Sequence, residues 1–150
     1  MYDKAETSAL INEVQVVAFK LGDEEYAVDI LAVQEINRLL HITRVPRANR
    51  FIEGVINLRG NVIPIINLHK KFNLGQPENS DDTRIIVFQV ADVKAGFIVD
   101  GVSEVLRLNL ADIEETQSVY GSLDANVIRG IGKVQGRLVI LLDPAQLLEL

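Results

Sequence analysis

The sequence contains no cysteine, so its 150 residues can form neither a disulfide framework nor a thiolate metal site. No apolar run approaches the roughly 20 residues of a membrane-spanning helix. The opening Met1-Tyr-Asp-Lys-Ala-Glu-Thr-Ser8 is polar and mixed in charge, unlike the basic-then-apolar start of a signal peptide. A cytoplasmic location without direct membrane insertion is the expectation. Positive charge is also scarce: 15 Lys and Arg against 21 Asp and Glu leave a net charge of −6. That sign is wrong for a nucleic-acid binder, which needs a basic stripe to displace counterions from phosphates. Proteins or small molecules are the expected partners.

Catalytic material is equally thin. There are two histidines. His41 lies in an apolar stretch and His69 beside Lys70 and Lys71, neither with a Ser or Cys nucleophile pattern, and both read as structural residues. Gly54 to Gly60 is spaced wrongly for a phosphate loop and is followed by Asn61, and Gly130 to Gly136 leads into a strand where a dinucleotide fold needs a helix. The acidic clusters Asp23-Glu-Glu25, Asp81-Asp82 and Glu114-Glu115 lack the spacing of a calcium loop. No catalytic residue, metal site or cofactor is expected. The rival reading is a small-molecule or hydrolytic β-barrel whose acids lie far apart in the chain, which predicts a deep polar cleft with perturbed carboxyls.

What is present is a mostly β pattern organised around Phe51 to Leu68. Two apolar, β-branched runs, Val55 to Leu58 and Val62 to Asn67, flank Arg59-Gly60-Asn61, where Gly60 can take the positive φ of a tight reversal. Arms apolar at nearly every position predict a hairpin covered on both faces, with Arg59 pushed out at its tip. Further strands are expected at 14–21, 26–28, 34–40, 84–90, 95–99, 102–108, 127–134 and 138–142. Short helical turns are expected at 30–33, from Asn49 through Glu53, over 68–74 with a stop at Gly75, near 111–114, and after Asp143-Pro144. Residues 1–12 read as a frayed lead-in or short helix.

The chain also repeats itself. Phe19 to Asp23 pairs with Phe88 to Asp92 and Val28-Asp29 with Val99-Asp100, while Ile52 to Asn67 pairs without a gap with Ile128 to Asp143. The glycines match: Gly54 with Gly130, Gly60 with Gly136. Two similar subdomains, about 13–74 and 83–150, joined by the polar linker 75–82, account for this period better than a repeat array. Five strands in each half is the number at which a small sheet can close and hide its edges. The expected fold is therefore a single domain of two packed five-stranded β-barrels with short helices, the final strand being free to cross between them.

Three stretches carry a family resemblance: Leu21 to Ile36, Gly54-Val-Ile-Asn-Leu-Arg-Gly60 with Ile63-Pro-Ile65, and Gly96 to Val105. From about Glu13 to Leu148 the chain resembles the CheW family of bacterial chemotaxis adaptors. The resemblance implies two SH3-like barrels around a shared hydrophobic core, no enzymatic activity and no cofactor. It implies coupling of methyl-accepting receptor cytoplasmic tips to the regulatory domain of the histidine kinase CheA, with recruitment to membrane receptor clusters and a monomer when free. Carried over by motif, Val33, Glu35, Arg59 and Val102 are the expected partner contacts. Gly54, Gly96 and Gly130 fall at positions of backbone or packing necessity, as do the turn glycines Gly60 and Gly136. Val33 and Val102 suit a core as well as an interface, and Glu35 and Arg59 could alternatively pair with each other. The arginine-rich segment Arg44 to Arg50 departs from the family pattern in a variable region.

Overall fold

The computed structural model describes residues 12–75, 78–114 and 126–149. Most of residues 1–12 and the segment following Glu114 lie outside them. Among the described residues the chain runs through β1 (Glu13–Leu21), β2 (Glu24–Asp29), a 3-10 turn (Ile30–Ala32), β3 (Val33–Arg38), β4 (Ile52–Leu58), β5 (Asn61–Ile66) and α1 (Leu68–Lys71). It continues through β6 (Arg84–Val90), β7 (Val93–Val99), β8 (Gly101–Asn109), a 3-10 turn (Leu110–Asp112), β9 (Ile113–Glu114), β10 (Ile128–Val134), β11 (Arg137–Leu142) and α2 (Pro144–Leu147). Asn67 caps α1 by accepting from the Lys70 N–H, and Asp143 caps α2 with Pro144 behind it.

These strands form two sheets, ordered β8-β1-β2-β11-β10-β9 and β3-β6-β7-β5-β4. Neither sheet follows the halves 13–74 and 83–150. The first-half hairpin β1–β2 sits among second-half strands, the second-half hairpin β6–β7 sits among first-half strands, and the linker 75–82 joins two strands of one sheet. The exchange is a reciprocal swap of hairpins, more than the crossing of one final strand. It is carried by two parallel pairings, β2 with β11 and β5 with β7, and by two antiparallel ones, β1 with β8 and β3 with β6. Because each sheet maps onto the other when the halves are interchanged, the sequence repeat survives as an internal two-fold relation.

Swapping explains the apolar runs. Along β1 the side chains of Val16 and Ala18 enter a core inside one barrel with Ala27, Leu106, Leu108, Val139 and Leu141. Val17, Phe19 and Leu21 point the other way into a larger core shared by both sheets. Ile56, Ile63, Ile65, Ile85, Val87 and Ile98 fill the second barrel. Central strands therefore bury both faces. The chain's few aromatics are concentrated in the shared core: Phe72, Tyr26, Phe19, Phe97 and Phe88 form a continuous series with centroid spacings of 5.7, 6.1, 5.2 and 5.3 Å. Burial pushes the Tyr26 phenol up to about 12, helped by Glu24.

Each barrel closes in the same way. After β3 the chain returns to pair Thr43 with Val55 on β4, and after β8 the short β9 pairs with β10. The closing segment crosses so near that a Cβ on Gly54 would lie 2.3 Å from the Thr43 carbonyl oxygen and 2.7 Å from Ile42 Cγ2. On Gly130 it would lie 2.6 Å from Ile113 Cγ2 and 2.8 Å from the Glu114 carbonyl. Gly96, opposite Ile65 in the parallel pairing, is crowded by the flexible Ile65 Cδ1 at 2.8 Å. Gly60 and Gly136 are different: a Cβ there meets nothing, but φ is +84° and +78°. With Arg59 at +51° and Gln135 at +50°, each forms a two-residue reversal of the primed type. Gly60→Ala should therefore cost about 1 kcal/mol, read as a small fall in the denaturation midpoint.

Several expectations change in detail. The organising hairpin turns on two residues, not three, because Leu58 pairs directly with Asn61. It is not covered on both faces: Glu53 and Asn57 are exposed and Val62 is 69% exposed, since the barrel fills only its inner side. Asn49 organises a turn, not a helix, its Oδ1 accepting from the Phe51 N–H at 2.9 Å as β4 begins. The helix at 68 ends before Gly75, with Asn73 already at φ +57°. Phe19 faces Tyr26 and Phe88 faces Ala95, so Val99 corresponds to Ile30 and not to Val28. Asp29 and Asp100 consequently do different work. Asp29 caps the 3-10 turn through the Leu31 N–H, whereas Asp100 accepts from the Gly22 N–H at 2.7 Å and from buried His69 Nε2 at 2.9 Å. His69 is structural, tying α1 to the β7–β8 junction.

Candidate partner-binding surfaces

The β4–β5 hairpin lies at one edge of its sheet and β3 at the other, yet curling of the sheet brings their side chains together. Arg59, at the turn, donates to Glu35 Oε2, while Asn37 Nδ2 donates to Glu35 Oε1 at 2.8 Å. The pair clasps the barrel across its seam. The Arg59 side chain is 70% exposed and that of Glu35 25% exposed, so the clasp presents a guanidinium outward while its carboxylate is tucked beneath.

The hydrogen bond from Arg59, joined by that from Asn37, holds the Glu35 carboxyl below its ordinary value. Since the folded value is the lower one, the clasp's contribution is fully present above the ordinary carboxylate value and is lost as pH falls through the depressed folded value. In Arg59→Ala the Glu35 titration followed by carboxyl carbon shifts should move upward toward the ordinary midpoint, with little change in thermal midpoint because Arg59 is largely exposed.

The second barrel holds a counterpart. Val33 pairs with Phe88 and Glu35 with Val87, just as Val102 pairs with Phe19 and Glu104 with Ala18, each across a register shift of one residue. Glu104 accepts from Arg137 Nη2 at 2.7 Å, and Arg137 also approaches Glu25 at 3.6 Å. Both hairpins thus place one arginine on the equivalent glutamate, from different positions of their turns. Their surroundings are opposite in sign: Lys94 adds positive charge near Glu35, whereas Glu25 adds negative charge near Arg137. The two barrel ends are alike in shape and unlike in charge. Each also exposes apolar residues, Ile36 and Val62 on one, Val105 and Leu138 on the other.

Val33 and Val102 are neither core nor free surface. Both are half-buried at the margin of the shared core, at equivalent places in the two halves. The structure brings Glu35 and Arg59 into contact, puts Val33 two residues along the same strand, and sets Val102 on the other sheet.

An exposed apolar residue also escaped the sequence reading. Leu31 is 87% exposed, held out on the 3-10 turn that Asp29 caps. It lines two grooves, one of about 440 Å³ with Val14, Ile30 and Arg107, the other of about 290 Å³ with Val90, Arg129 and Pro144. Neither groove includes Glu35 or Arg59. The available signal was Asp29-Ile-Leu31, a capping residue followed by two large apolar side chains where one turn can bury only one of them. In the second half β7 continues to Val99, the counterpart of Ile30, and the polar Asp100 takes the place of Leu31 before β8, so this ridge has no counterpart among the described residues.

Nothing in these surfaces resembles a hydrolytic cleft. Glu35 is shifted downward, the wrong direction for a general acid. No group of three or more His, Cys, Asp or Glu side chains is placed to hold a metal among the described residues, and no described helix is long and apolar enough to cross a membrane.

Comparison with known proteins agrees with this geometry. Residues 15–150 match the family model described as CheW-like domain. The chain is 39% identical over 136 residues to the chemotaxis protein CheW of Helicobacter pylori, covering 91% of this chain and 82% of that protein. It is 35% identical over 141 residues to the chemotaxis protein CheW of Thermotoga maritima, covering 93% and 90%. Among solved structures it superposes on the scaffolding protein TtCheW of Thermoanaerobacter tengcongensis with a TM-score of 0.84 at 38% identity, covering 91% of this chain and 88% of that one.

Proposed function

The chain belongs to the CheW-like domain family and is a chemotaxis adaptor protein, and from this premise we propose that it couples methyl-accepting receptors to the histidine kinase CheA without catalysing a reaction itself. The observation that carries the proposal is Leu31, a large apolar side chain displayed to solvent between two grooves, apart from the arginine clasp. A lone exposed leucine needs no explanation, but one held out on a capped turn between two grooves, with Val14 and Ile30 on one side and Val90 and Pro144 on the other, offers an apolar ridge rimmed by polar residues. An amphipathic helix from a receptor tip would seat its apolar face there, in the helix-in-groove manner. Val33 and Val102, at the margin of the shared core, would extend the contact.

The barrel ends suit the second partner. Glu35 and Arg59 offer a planar, multi-donor group beside exposed Ile36 and Val62, a combination suited to a folded domain such as the kinase regulatory domain. Because only one half carries the Leu31 ridge, a single monomer can hold two unlike partners at once. Signal would then pass as a change in their relative arrangement, in the cytoplasm at membrane receptor clusters.

The test is a pull-down of the purified protein with a receptor cytoplasmic fragment and, separately, with the CheA regulatory domain, comparing wild type with Arg59→Ala. Binding to both partners, with kinase-domain capture reduced in the variant, is the expected result. Normal capture of both by Arg59→Ala would remove the clasp from the interface.

A further inference from the structure

The arginine-rich segment takes no part in either surface described above. Arg44, Arg47 and Arg50 project from the exposed connection between β3 and β4, and with Lys70 of α1 they line a cleft of about 730 Å³. The whole chain carries a net charge of −6, so four cations around one hollow run against its overall character. None of the four forms an ion pair among the described residues. The one carboxylate in the lining, Glu53, accepts instead from Asn67 Nδ2 at 3.0 Å.

The segment that carries the three arginines is braced. Asn49 accepts from the Phe51 N–H through its side chain and from the Ile52 N–H through its carbonyl, both at 2.9 Å. The Arg50 guanidinium lies 4.6 Å over the Phe51 ring. Arg47 sits at φ +64°, a conformation disfavoured for a residue with a side chain, and Pro46 before it restricts the loop further. Bracing of this kind keeps like charges close together, and an anion of high charge relieves their repulsion. A second hollow of about 270 Å³ adjoins the first, sharing Glu53, Asn67 and Asn79, and its remaining wall is mixed, with Leu39, Leu40, Ile42 and Ile98 beside His41 and His69.

The chemistry of the two hollows differs in a way that selects a ligand. Guanidinium forks match phosphate oxygens in pairs, and the neighbouring leucine and isoleucine side chains suit an uncharged ring. The volume of the larger hollow falls within the range of small-molecule sites, and its concavity does not fit the flat face of a membrane. We propose that this cleft binds a small molecule bearing two or more adjacent phosphates, with Arg44, Arg47, Arg50 and Lys70 on the phosphates and the adjoining hollow receiving an attached base.

Calorimetric titration of the full chain at 0.15 M salt without magnesium, with sodium triphosphate and with ATP as probes, tests this. Saturable one-site binding of both is expected, ATP being at least threefold tighter, with affinity for both falling tenfold or more in Arg44→Ala/Arg50→Ala at an unchanged thermal midpoint. Leu40→Ser should remove only the advantage of ATP. Equal affinity for the two probes would overturn the role of the adjoining hollow and leave inorganic polyphosphate as the ligand. Binding of neither probe, or equal binding by the double arginine variant, would overturn the site. Capture by a hepta-glutamate peptide or by phosphatidylglycerol vesicles, with no binding of triphosphate, would overturn the small-molecule reading in favour of an acidic protein or a lipid surface.

Discussion

Gly54→Asp is expected to lower the thermal midpoint by about 6–12 °C, corresponding to about 3 kcal/mol in a domain of this size. The side chain would have to occupy space taken by the Thr43 carbonyl oxygen, 2.3 Å from an ideal Cβ, and that oxygen accepts from the Val55 N–H at 2.8 Å. Neither atom can yield without opening the bridge that closes the barrel. Backbone cannot turn aside as a flexible side-chain end can, which is why Gly96→Ala, crowded mainly by Ile65 Cδ1, should cost less. Gly54→Ala isolates the steric part from the added charge and should retain most of the loss. Differential scanning calorimetry of the two variants beside Gly60→Ala ranks the three effects. A Gly54→Asp protein that melts with wild type would mean that the barrel does not close against Thr43.

Leu31→Glu should weaken binding to a receptor cytoplasmic fragment by tenfold or more while leaving the thermal midpoint in place. The residue contributes little to folding because it is 87% exposed, and the turn beneath it is held by the Asp29 cap whatever side chain stands at position 31. In the complex it is the one large apolar group bordering both grooves, and a carboxylate there would replace its apolar contact with a charge that must be desolvated. Titration of the labelled fragment, followed by anisotropy, reads the change directly. Equal affinity for wild type and variant would move the receptor contact elsewhere.

How much of this was legible beforehand depends on the range of the interaction involved. Gly60 and Gly136 declared themselves through local turn chemistry, and the two-fold relation of the barrels was visible because each half repeats the same strands and glycines. The swapping of β1–β2 with β6–β7 was not visible, since it rests on pairings between segments distant in sequence, Tyr26 with Ile140, Ile65 with Gly96, Val17 with Val105 and Ile36 with Ile86. That swap also misled the reading of apolar runs. β1 is buried on both faces because it lies between two cores along most of its length, whereas β5 meets the shared core only at Ile66, near its end, and leaves Val62 beside the turn in solvent.

The binding surfaces divide in the same manner. Arg59 stood out as a charge that its turn does not require, and its pairing with Glu35 was one of the two readings open. Its role as a clasp emerges only when the sheet curls to bring opposite edges together. Leu31 passed unnoticed because an apolar residue in a short turn reads as core. Glu104 and Arg137 were overlooked for a related reason: their arginine stands two places further round the turn than Arg59 does, so alignment of the hairpins set Arg59 against Gln135 and hid the common contact.

The central claim is that one chain holds two different partners at the same time. Analytical ultracentrifugation of the protein with a receptor cytoplasmic fragment and the CheA regulatory domain, alone and together, tests it most directly. A species heavier than either pairwise complex, lost with Leu31→Glu while the kinase-domain pair persists, is the predicted result. Pairwise complexes that displace each other, with no ternary species at any ratio, would contradict it.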